Sequence, residues 1–362
     1  MSGAIFRWCL PAVQRRGAGL GNELIPWARS FLAAQVIGAR SLPPAFGMNT
    51  RRYWRHFGTP RYDWIAHRAL QSALPIIHFG EADYLRHGGG NVADAFRYFA
   101  DTHHLHRRTA YVVVTEGMWG GYRHIAAARQ FITATLYQSR FAPANLLRLA
   151  QRLDQQKLIV AMHIRLGDFS AAVSDHDAYR GKFNRALPLD WYRNIAYSII
   201  DTLGDQVQFL IISDGSTEQL KTLTDGLPTV STSDIADSDC SDLLALAEAD
   251  LLVCSVSSFS SMAAFLSTAP YLWFEPNLQR HDGRAYSIWG HEPAQQCSDS
   301  ATQQAIGKMA GEGAHVSGRG VPVAIDGVVP AELLHRLMTQ KAHRLLDSDL
   351  VQYGVVPMNG AG

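Results

Sequence analysis

A histidine and an arginine two residues apart close an apolar run, and they suit the binding of an anion. The run LIVAMHIRLGDF covers residues 158–169 and contains His163, Arg165 and Asp168. Side chains alternate along a strand, so His163 and Arg165 are expected to face the same way. A guanidinium pairs with phosphate oxygens through a planar fork, which suits a diphosphate. The alternative is a structural ion pair between Arg165 and a local carboxylate such as Asp168.

A serine-rich segment, VCSVSSFSSMAAFL at residues 253–266, offers a second anion site. A strand is expected to run into Ser257, Ser258, Phe259 and Ser260, where a helix begins. The first N–H groups of a helix have no partner within the helix, so a pyrophosphate could bind there together with the serine hydroxyls. Simple capping of the helix by one serine is the alternative.

An aspartate follows another apolar strand in FLIISDG, residues 209–215. At that place the Asp214 carboxylate could accept two hydrogen bonds from the N1–H and amino group of a guanine. It could equally cap the helix that follows.

A glycine-rich turn, GAGLGNE at residues 17–23, lies near the start of the chain. Gly19 and Gly21 would let the backbone approach a ligand closely, with Asn22 beside it. The spacing does not match GxGxxG, because the sixth position is Asn22, so neither a nicotinamide nor a flavin site is predicted and no cofactor is expected. A purely structural turn is the alternative.

The elements that must position these residues alternate between strands and helices. In the second half, strands are expected at 158–164, 207–213, 229–231, 251–255 and 271–274, with helices at 189–203, 217–223, 260–266 and 330–346 and one ending at Ala249 that Ser241 or Asp239 could cap. In the first half we expect strands at 6–13 and 110–115, a helix at 23–36 with Pro26 in its first turn, and a long helical stretch at 126–153.

Continuous apolar strands separated by helices predict an α/β fold with parallel sheets covered on both faces. Such sheets bind ligands beyond the carboxyl ends of their strands. The length favours two domains, and we place them at residues 1–153 and 154–362.

Taken in order, GLGNE at 19–23, HIRLGD at 163–168, ISDG at 212–215 and SSFSSMAAFL at 257–266 resemble the α-1,2, α-1,6 and protein O-fucosyltransferases, above all the bacterial α-1,2 branch. These segments cover about a tenth of the chain. The chain differs from the family pattern at three places: Leu166 replaces a second arginine, Glu23 replaces a glutamine, and the pair Ser261-Met262 replaces tryptophans.

The resemblance implies a GT-B fold, in which two Rossmann-like domains with parallel sheets face a central cleft. It implies GDP-fucose as the donor substrate, inversion at the anomeric carbon and no catalytic metal. Arg165 would then bind the β-phosphate and assist the departure of GDP, and His163 would line the guanosine or phosphate side. Asp214 would bind the guanine. The remaining donor-binding residues would be Gly19, Gly21, Asn22, Ser257, Ser258, Phe259 and Ser260.

Composition narrows the partners. The chain has 33 basic and 32 acidic residues and a net charge of +1, so no overall field attracts it to nucleic acid. Cys9, Cys240, Cys254 and Cys297 are widely spaced, which is typical of reduced thiols rather than of a zinc site. We find no convincing signal peptide and no apolar run long enough to span a membrane, and therefore expect a cytoplasmic location, with peripheral association at the inner membrane face left open.

Two further metal-like patterns are not assigned to metals. Asp237-Ser238-Asp239 matches a DxD motif, but helix capping explains it, and His103, His104 and His106 are followed by two arginines.

The acceptor, an oligosaccharide or lipid-linked glycan, would need a base to take its proton. The candidates are Glu23, His78, Glu81, Asp83 and Glu116, while Trp119 and Tyr122 could stack on a sugar. Two rival functions stay open: a transferase that uses another nucleotide sugar, and a non-catalytic protein that binds nucleotide sugars or glycans on the same fold. A dinucleotide-dependent oxidoreductase is a weaker third.

Overall fold

The computed structural model describes residues 5–12, 18–87, 91–116, 122–175, 179, 185–277, 279–281, 284–286, 320–340 and 355–356. The chain divides into two compact units, Met1–Arg140 and Phe141–Gly362. Each unit contains a parallel sheet with helices in the connections. The predicted α/β class with two parallel sheets is therefore confirmed, and the central cleft stays a prediction.

The first unit has a four-stranded sheet in the order β2-β1-β4-β3, with every pairing parallel. Its strands are β1 (Phe6–Ala12), β2 (Arg40–Ser41), β3 (Ile76–Phe79) and β4 (Ala110–Glu116). Strand β1 continues through Pro11 because β2 pairs only with Trp8 and Cys9, so the missing N–H of the proline faces no β2 partner.

The helices of the first unit are α1 (Leu20–Ile37), α2 (Trp54–Phe57), α3 (Asp63–Ala73), α4 (Glu81–Arg86), α5 (Val92–Thr102) and α6 (Arg129–Tyr137). Helix α1 begins three residues earlier than expected, because the carbonyl of Gly19 already accepts the N–H groups of Asn22 and Glu23. Gly21 and Asn22 thus belong to the first turn of the helix rather than to a free turn. Pro26 lies beyond that turn, within the helix, which corrects its expected position.

The second unit has a six-stranded parallel sheet in the order β12-β9-β8-β5-β6-β7. Its strands are β5 (Leu158–Ile164), β6 (Val207–Ser213), β7 (Thr229–Ser231), β8 (Leu251–Val253), β9 (Tyr271–Phe274) and β12 (Gly320–Val323). All seven residues of β5 are buried, as a central strand covered on both faces requires. The short strands β10 (Gln279–His281), β11 (Arg284–Tyr286) and β13 (Val355–Val356) form a separate antiparallel sheet.

The strand order of the second sheet reverses at its middle. The chain builds outward from β5 through β6 to β7 on one side, then returns to β8 and continues to β9 and β12 on the other side. This is the order 3-2-1-4-5-6 of doubly wound sheets, which reverses between β5 and β8. Ligands of such sheets bind beyond the carboxyl ends of the strands at the point of reversal.

The helices of the second unit are α7 (Ala142–Ala150), α8 (Leu189–Leu203), α9 (Thr217–Thr224), α10 (Asp239–Glu248), α11 (Ser258–Leu266) and α12 (Ala331–Gln340). Helix α8 contacts β6, α9 and α12, whereas α10 contacts β5, α7 and α11. The expected closing helix at 330–346 is thus present to Gln340, and the rest of it falls outside the described residues. Ser238, rather than Asp239 or Ser241, precedes α10, because the helix starts earlier than expected.

The prediction of one long helix at 126–153 is wrong, because the helix is interrupted between α6 and α7. Pro143 lies in the first turn of α7, and it lacks the N–H that a continuous helix would need there. The break coincides with the boundary between the units at residues 140 and 141, ahead of the boundary drawn at 153. Helix α7 belongs to the second unit, where the Asn145 side chain donates hydrogen bonds to the Ala236 and Asp237 carbonyls, both at 3.2 Å.

Candidate functional site

Arg165 lies just past the end of β5 and is held by two carboxylates. Its Nε and Nη2 atoms are 3.0 and 2.7 Å from Oδ1 of Asp168, and its Nη1 atom is 3.0 Å from Oδ2 of Asp214. The guanidinium carbon lies 5.6 Å from the centre of the Phe169 ring, within the range of a cation–π contact. The local ion pair considered from the sequence therefore exists, and it involves a second carboxylate from the neighbouring strand.

Asp214 connects the ends of β5 and β6. One carboxylate oxygen binds Arg165, and the other accepts the backbone N–H of Leu166 at 2.8 Å. It does not cap α9, because the Ser216 hydroxyl accepts the N–H of Gln219 at 3.2 Å and caps that helix. Both Asp214 oxygens are thus engaged within the protein, and the expected contact with a guanine stays a prediction.

A glycine at position 167 makes this arrangement sterically possible. A Cβ atom at Gly167 would lie 2.6 Å from Oδ2 of Asp214 and 3.1 Å from its carboxyl carbon. Real Cβ atoms essentially never approach another atom within 3.0 Å, so a larger residue at position 167 would force a shift, and the atom nearest to it belongs to the carboxylate that binds Arg165. Gly167 therefore leaves the room that the Asp214 carboxylate occupies.

His163 is buried in β5 and joins that strand to the start of α11. Its Nδ1 atom lies 2.7 Å from the Ser260 hydroxyl oxygen and 2.9 Å from that of Ser255. Its ring is 5.0 Å from the ring of Phe259, and the Tyr192 hydroxyl donates to its backbone carbonyl at 3.1 Å. His163 therefore contacts the serine-rich segment, and its expected role in a donor site stays a prediction.

The His163 imidazole is neutral. Burial, the largest cause, and the Arg165 guanidinium together lower its pKa to about 3, while Asp214 acts in the opposite direction. A neutral imidazole carries no positive charge, whereas the Arg165 guanidinium does.

The first turn of α11 is built from buried serines with distinct roles. The Ser257 hydroxyl accepts the N–H of Ser260 at 3.3 Å and caps the helix, as the alternative reading of this segment predicted. The Ser260 hydroxyl instead accepts the N–H of Ser255 at 3.0 Å and contacts His163. Ser258 is buried and begins α11, with Phe259 next to it. The helix start therefore lies at the carboxyl end of β8, next to the end of β5.

The predicted residues of the first unit lie at the start of α1. Gly19 is the N-cap residue of the helix, and a Cβ there would meet no atom within 4 Å. Gly21 is buried, and the side-chain oxygen of Asn22 is buried without a hydrogen-bond partner among the described residues. Gly17 falls outside them. A contact of this helix start with a donor stays a prediction.

Glu23 is a buried carboxyl group in the same turn. The Asn49 side chain donates to it at 2.5 Å and also to the Ala18 carbonyl at 2.9 Å. Burial raises the pKa of Glu23 to about 7, with Asn49 lowering it and Asp63 raising it. Asn49 and Tyr192 were missed by the sequence analysis, because an isolated asparagine in a loop and a tyrosine on an apolar helix face carry no local signal of a polar contact.

The other candidate bases lie near the carboxyl edge of the first sheet. His78 of β3 and Glu116 of β4 form an exposed pair, with 2.7 Å between Nδ1 and Oε1. Glu81 and Asp83 lie in the first turn of α4. Trp119 falls outside the described residues. Tyr122 is 1% exposed, so its ring is packed in the protein and is not available to stack on a sugar.

The remaining candidates from the sequence are metal ligands, cysteines and membrane-spanning helices. Within the described ranges, no group of three or more His, Cys, Asp or Glu side chains could hold a metal ion. Cys9, Cys240 and Cys254 are buried cysteines, and Cys297 is outside those ranges. None of the helices seen in the structure is both long and apolar enough to cross a membrane.

No protein-family model and no curated protein matches the chain. Among solved structures, the NodZ α-1,6-fucosyltransferase soaked with GDP-fucose is 13% identical with a TM-score of 0.37, covering 73% of this chain and 93% of that chain. The fucosyltransferase NodZ from Bradyrhizobium is 13% identical with a TM-score of 0.40, and the match covers 74% of this chain and 95% of that chain. The glycosyltransferase SnogD from Streptomyces nogalater is 10% identical with a TM-score of 0.33, and the match covers 94% of this chain and 95% of that chain. Similarities this low carry no conclusion about family or activity.

Proposed function

We propose that the protein is a glycosyltransferase that binds the diphosphate of a nucleotide sugar at the carboxyl edge of the second sheet. One observation carries the proposal: Arg165 and the start of α11 follow β5 and β8, the two strands between which the sheet order reverses. A guanidinium and a helix start are both anion-binding groups, and this is where doubly wound sheets bind ligands.

These groups suit the chemistry of glycosyl transfer. The bond between the anomeric carbon and the β-phosphate oxygen breaks, and its electron pair stays on the diphosphate. The acceptor oxygen forms the new bond to the anomeric carbon, and its proton passes to a base. Because the leaving diphosphate gains negative charge as the bond breaks, Arg165 would stabilise the transition state more than the bound donor.

The finer assignment rests on the four motifs that resemble the fucosyltransferases. On that basis the donor is GDP-fucose, the reaction inverts the anomeric centre without a metal, and the acceptor is an oligosaccharide or lipid-linked glycan. Leu166 stands where the family pattern has a second arginine, so Arg165 is left as the cation of this segment. Its single charge is what makes the reaction depend on this one residue.

A non-catalytic binding protein is the second candidate, and one observation favours it. Arg165 already has two carboxylate partners, which is the arrangement of a structural ion pair as much as of a site that awaits a phosphate. The two candidate functions differ in turnover. Both proteins would bind the nucleotide sugar, but only the transferase would cleave it and release the nucleotide.

Calorimetric titration with GDP, UDP and ADP in EDTA tests the donor class. We expect GDP to bind in the micromolar range and UDP and ADP to bind at least about tenfold more weakly, a difference of ~1.4 kcal/mol. Binding of all three nucleotides alike would remove the guanine claim, and a requirement for divalent metal would contradict the metal-independent mechanism.

Turnover tests the role of Arg165. Release of GDP from GDP-fucose and from other GDP-sugars would be followed with the wild type, Arg165→Lys and Arg165→Gln, with thermal unfolding as the check that each variant folds. We expect kcat to fall by roughly a hundredfold or more in Arg165→Gln, as in the removal of other groups that stabilise a transition-state oxyanion. The point charge of lysine should restore part of this loss. Folded variants with unchanged kcat would sink the mechanism.

A further inference from the structure

Asp168 and Asp214 hold the same guanidinium but differ in their exposure to water. The Asp168 side chain is 56% exposed, whereas that of Asp214 is 27% exposed. Asp214 is also bound through its second oxygen to the backbone N–H of Leu166. Breaking the ion pair of Arg165 with Asp168 therefore costs less free energy than breaking the one with Asp214, because water can solvate the exposed Asp168 carboxylate.

The charges around Arg165 do not favour an anion as they stand. One guanidinium faces two carboxylates, so the group of three carries an excess of one negative charge. The nitrogens Nε and Nη2, which bind Asp168, form one edge of the planar fork, and this edge is the kind that binds phosphate oxygens in pairs. A carboxylate and a phosphate cannot both take this edge.

From this geometry we infer that Asp168 is a built-in competitor of the donor, which occupies the phosphate-binding edge of Arg165 until the diphosphate displaces it. The inference rests on the proposed function, since it takes a diphosphate as the ligand. Asp214 stays in place during the exchange and keeps the guanidinium at the end of β5. Asp168 thus lowers donor affinity and excludes anions too weak to displace it, and Asp214 positions Arg165.

The test is the affinity for GDP of Asp168→Asn, measured by calorimetry beside the wild-type protein. The amide removes the competing charge with little change in shape, so we expect the dissociation constant for GDP to fall roughly threefold to tenfold, the scale of a partly exposed ion pair. In turnover the gain should appear as a lower KM for the donor with no rise in kcat. Inorganic phosphate should also bind more tightly to the variant, because the competitor no longer excludes it.

Asp205→Asn is the matched control, because this exposed carboxylate lies just before the amino end of β6, at the opposite edge of the sheet. Its GDP affinity should equal that of the wild type. Equal gains in both variants would reveal a general charge effect and overturn the inference, and so would unchanged or weaker binding by Asp168→Asn. Should that variant not fold, Asp168→Ser removes the same charge and must give the same gain. Absence of GDP binding by the wild type would instead reject the proposed function.

Discussion

At the scale of single residues, the protein keeps an imidazole neutral at the centre of its candidate site. His163 is surrounded by serine hydroxyls and lies near the Arg165 guanidinium, and its pKa is lowered to about 3. In an unfolded chain a histidine has a pKa of about 6.5. Between these two pH values the unfolded chain binds a proton that the folded protein does not. The free energy of unfolding therefore decreases as the pH is lowered from about 6.5 towards 3.

This pKa difference gives a measurable pH dependence. The stabilisation from neutral His163 is complete above about pH 6.5 and is lost progressively as the pH falls towards 3. His163→Asn keeps an acceptor for the serine hydroxyls and removes the titration. We expect the wild type to lose roughly 1 kcal/mol per pH unit more than the variant between about pH 6 and pH 4. Urea unfolding at a series of pH values measures this, and parallel curves for the two proteins would contradict it.

At the scale of elements, the ends of β5 and β6 are fastened to each other by a side chain rather than by backbone pairing alone. Strands β5 and β6 pair from Leu158 with Val207 to Ile164 with Ser213, and the contacts of Asp214 continue the connection beyond the last pair. Gly167 leaves the room that this connection needs. The two loops therefore act as one unit in placing Arg165.

Gly167→Ala tests this connection. The added methyl group would force the Asp214 carboxylate away from Arg165, and we expect a loss of roughly 1–2 kcal/mol in stability together with weaker GDP binding. In an Asp214→Ala background the same substitution should cost much less, because the two residues then no longer meet.

Gly80→Ala is the control for this substitution, since a Cβ at Gly80 would meet no atom within 4 Å and its φ of −118° suits any residue. It should change stability little. Additive costs of Gly167→Ala and Asp214→Ala would show that the connection does not exist.

At the scale of the whole molecule, the boundary between the two units decides which pieces of the chain can fold. Helix α7 belongs to the second unit through Asn145, and it buries Ala142 and Leu149 there. The sequence alone would assign this helix to the first unit. A cut at the wrong place therefore removes a supporting layer from α10.

Two fragments distinguish the boundaries. We expect residues 141–362 to fold and to bind GDP, and residues 154–362 to unfold at a temperature several degrees lower, because the latter fragment exposes the face of α10 that α7 covers. Thermal unfolding and calorimetry of both fragments measure this. Equal unfolding temperatures would place α7 outside the second unit.

The second unit was largely predictable from the sequence, whereas in the first unit only β1, β4 and α1 were predicted. Buried parallel strands are continuous apolar runs, so the bounds of β5, β6, β7 and β9 and of α8 match their expected ranges. In the first unit, β3 has the sequence IIHF with largely exposed residues and gave no such run. The break at Pro143 was missed because apolar residues on both sides fit a helical period.

The candidate site divides in the same way. Residue types and spacing brought Arg165, His163 and the serines of α11 to adjacent strand ends, which follows from the rule for parallel sheets. The hydrogen-bond and ion-pair partners of each side chain could not be predicted from the sequence. Asp214 binds Arg165 because of the side-by-side register of β5 and β6, and such a contact between positions far apart in the chain leaves no local trace.

The hydrogen bond from the Leu166 main chain to Asp214 leaves the side chain at that position free to diverge. A main-chain donor is the same in every amino acid except proline, so an aliphatic residue and a basic one would leave the ends of β5 and β6 equally well connected. Natural variants that differ at this position should therefore share the connection between the two strand ends. Position 166 is thus a place where the residue type can change without rebuilding this part of the scaffold.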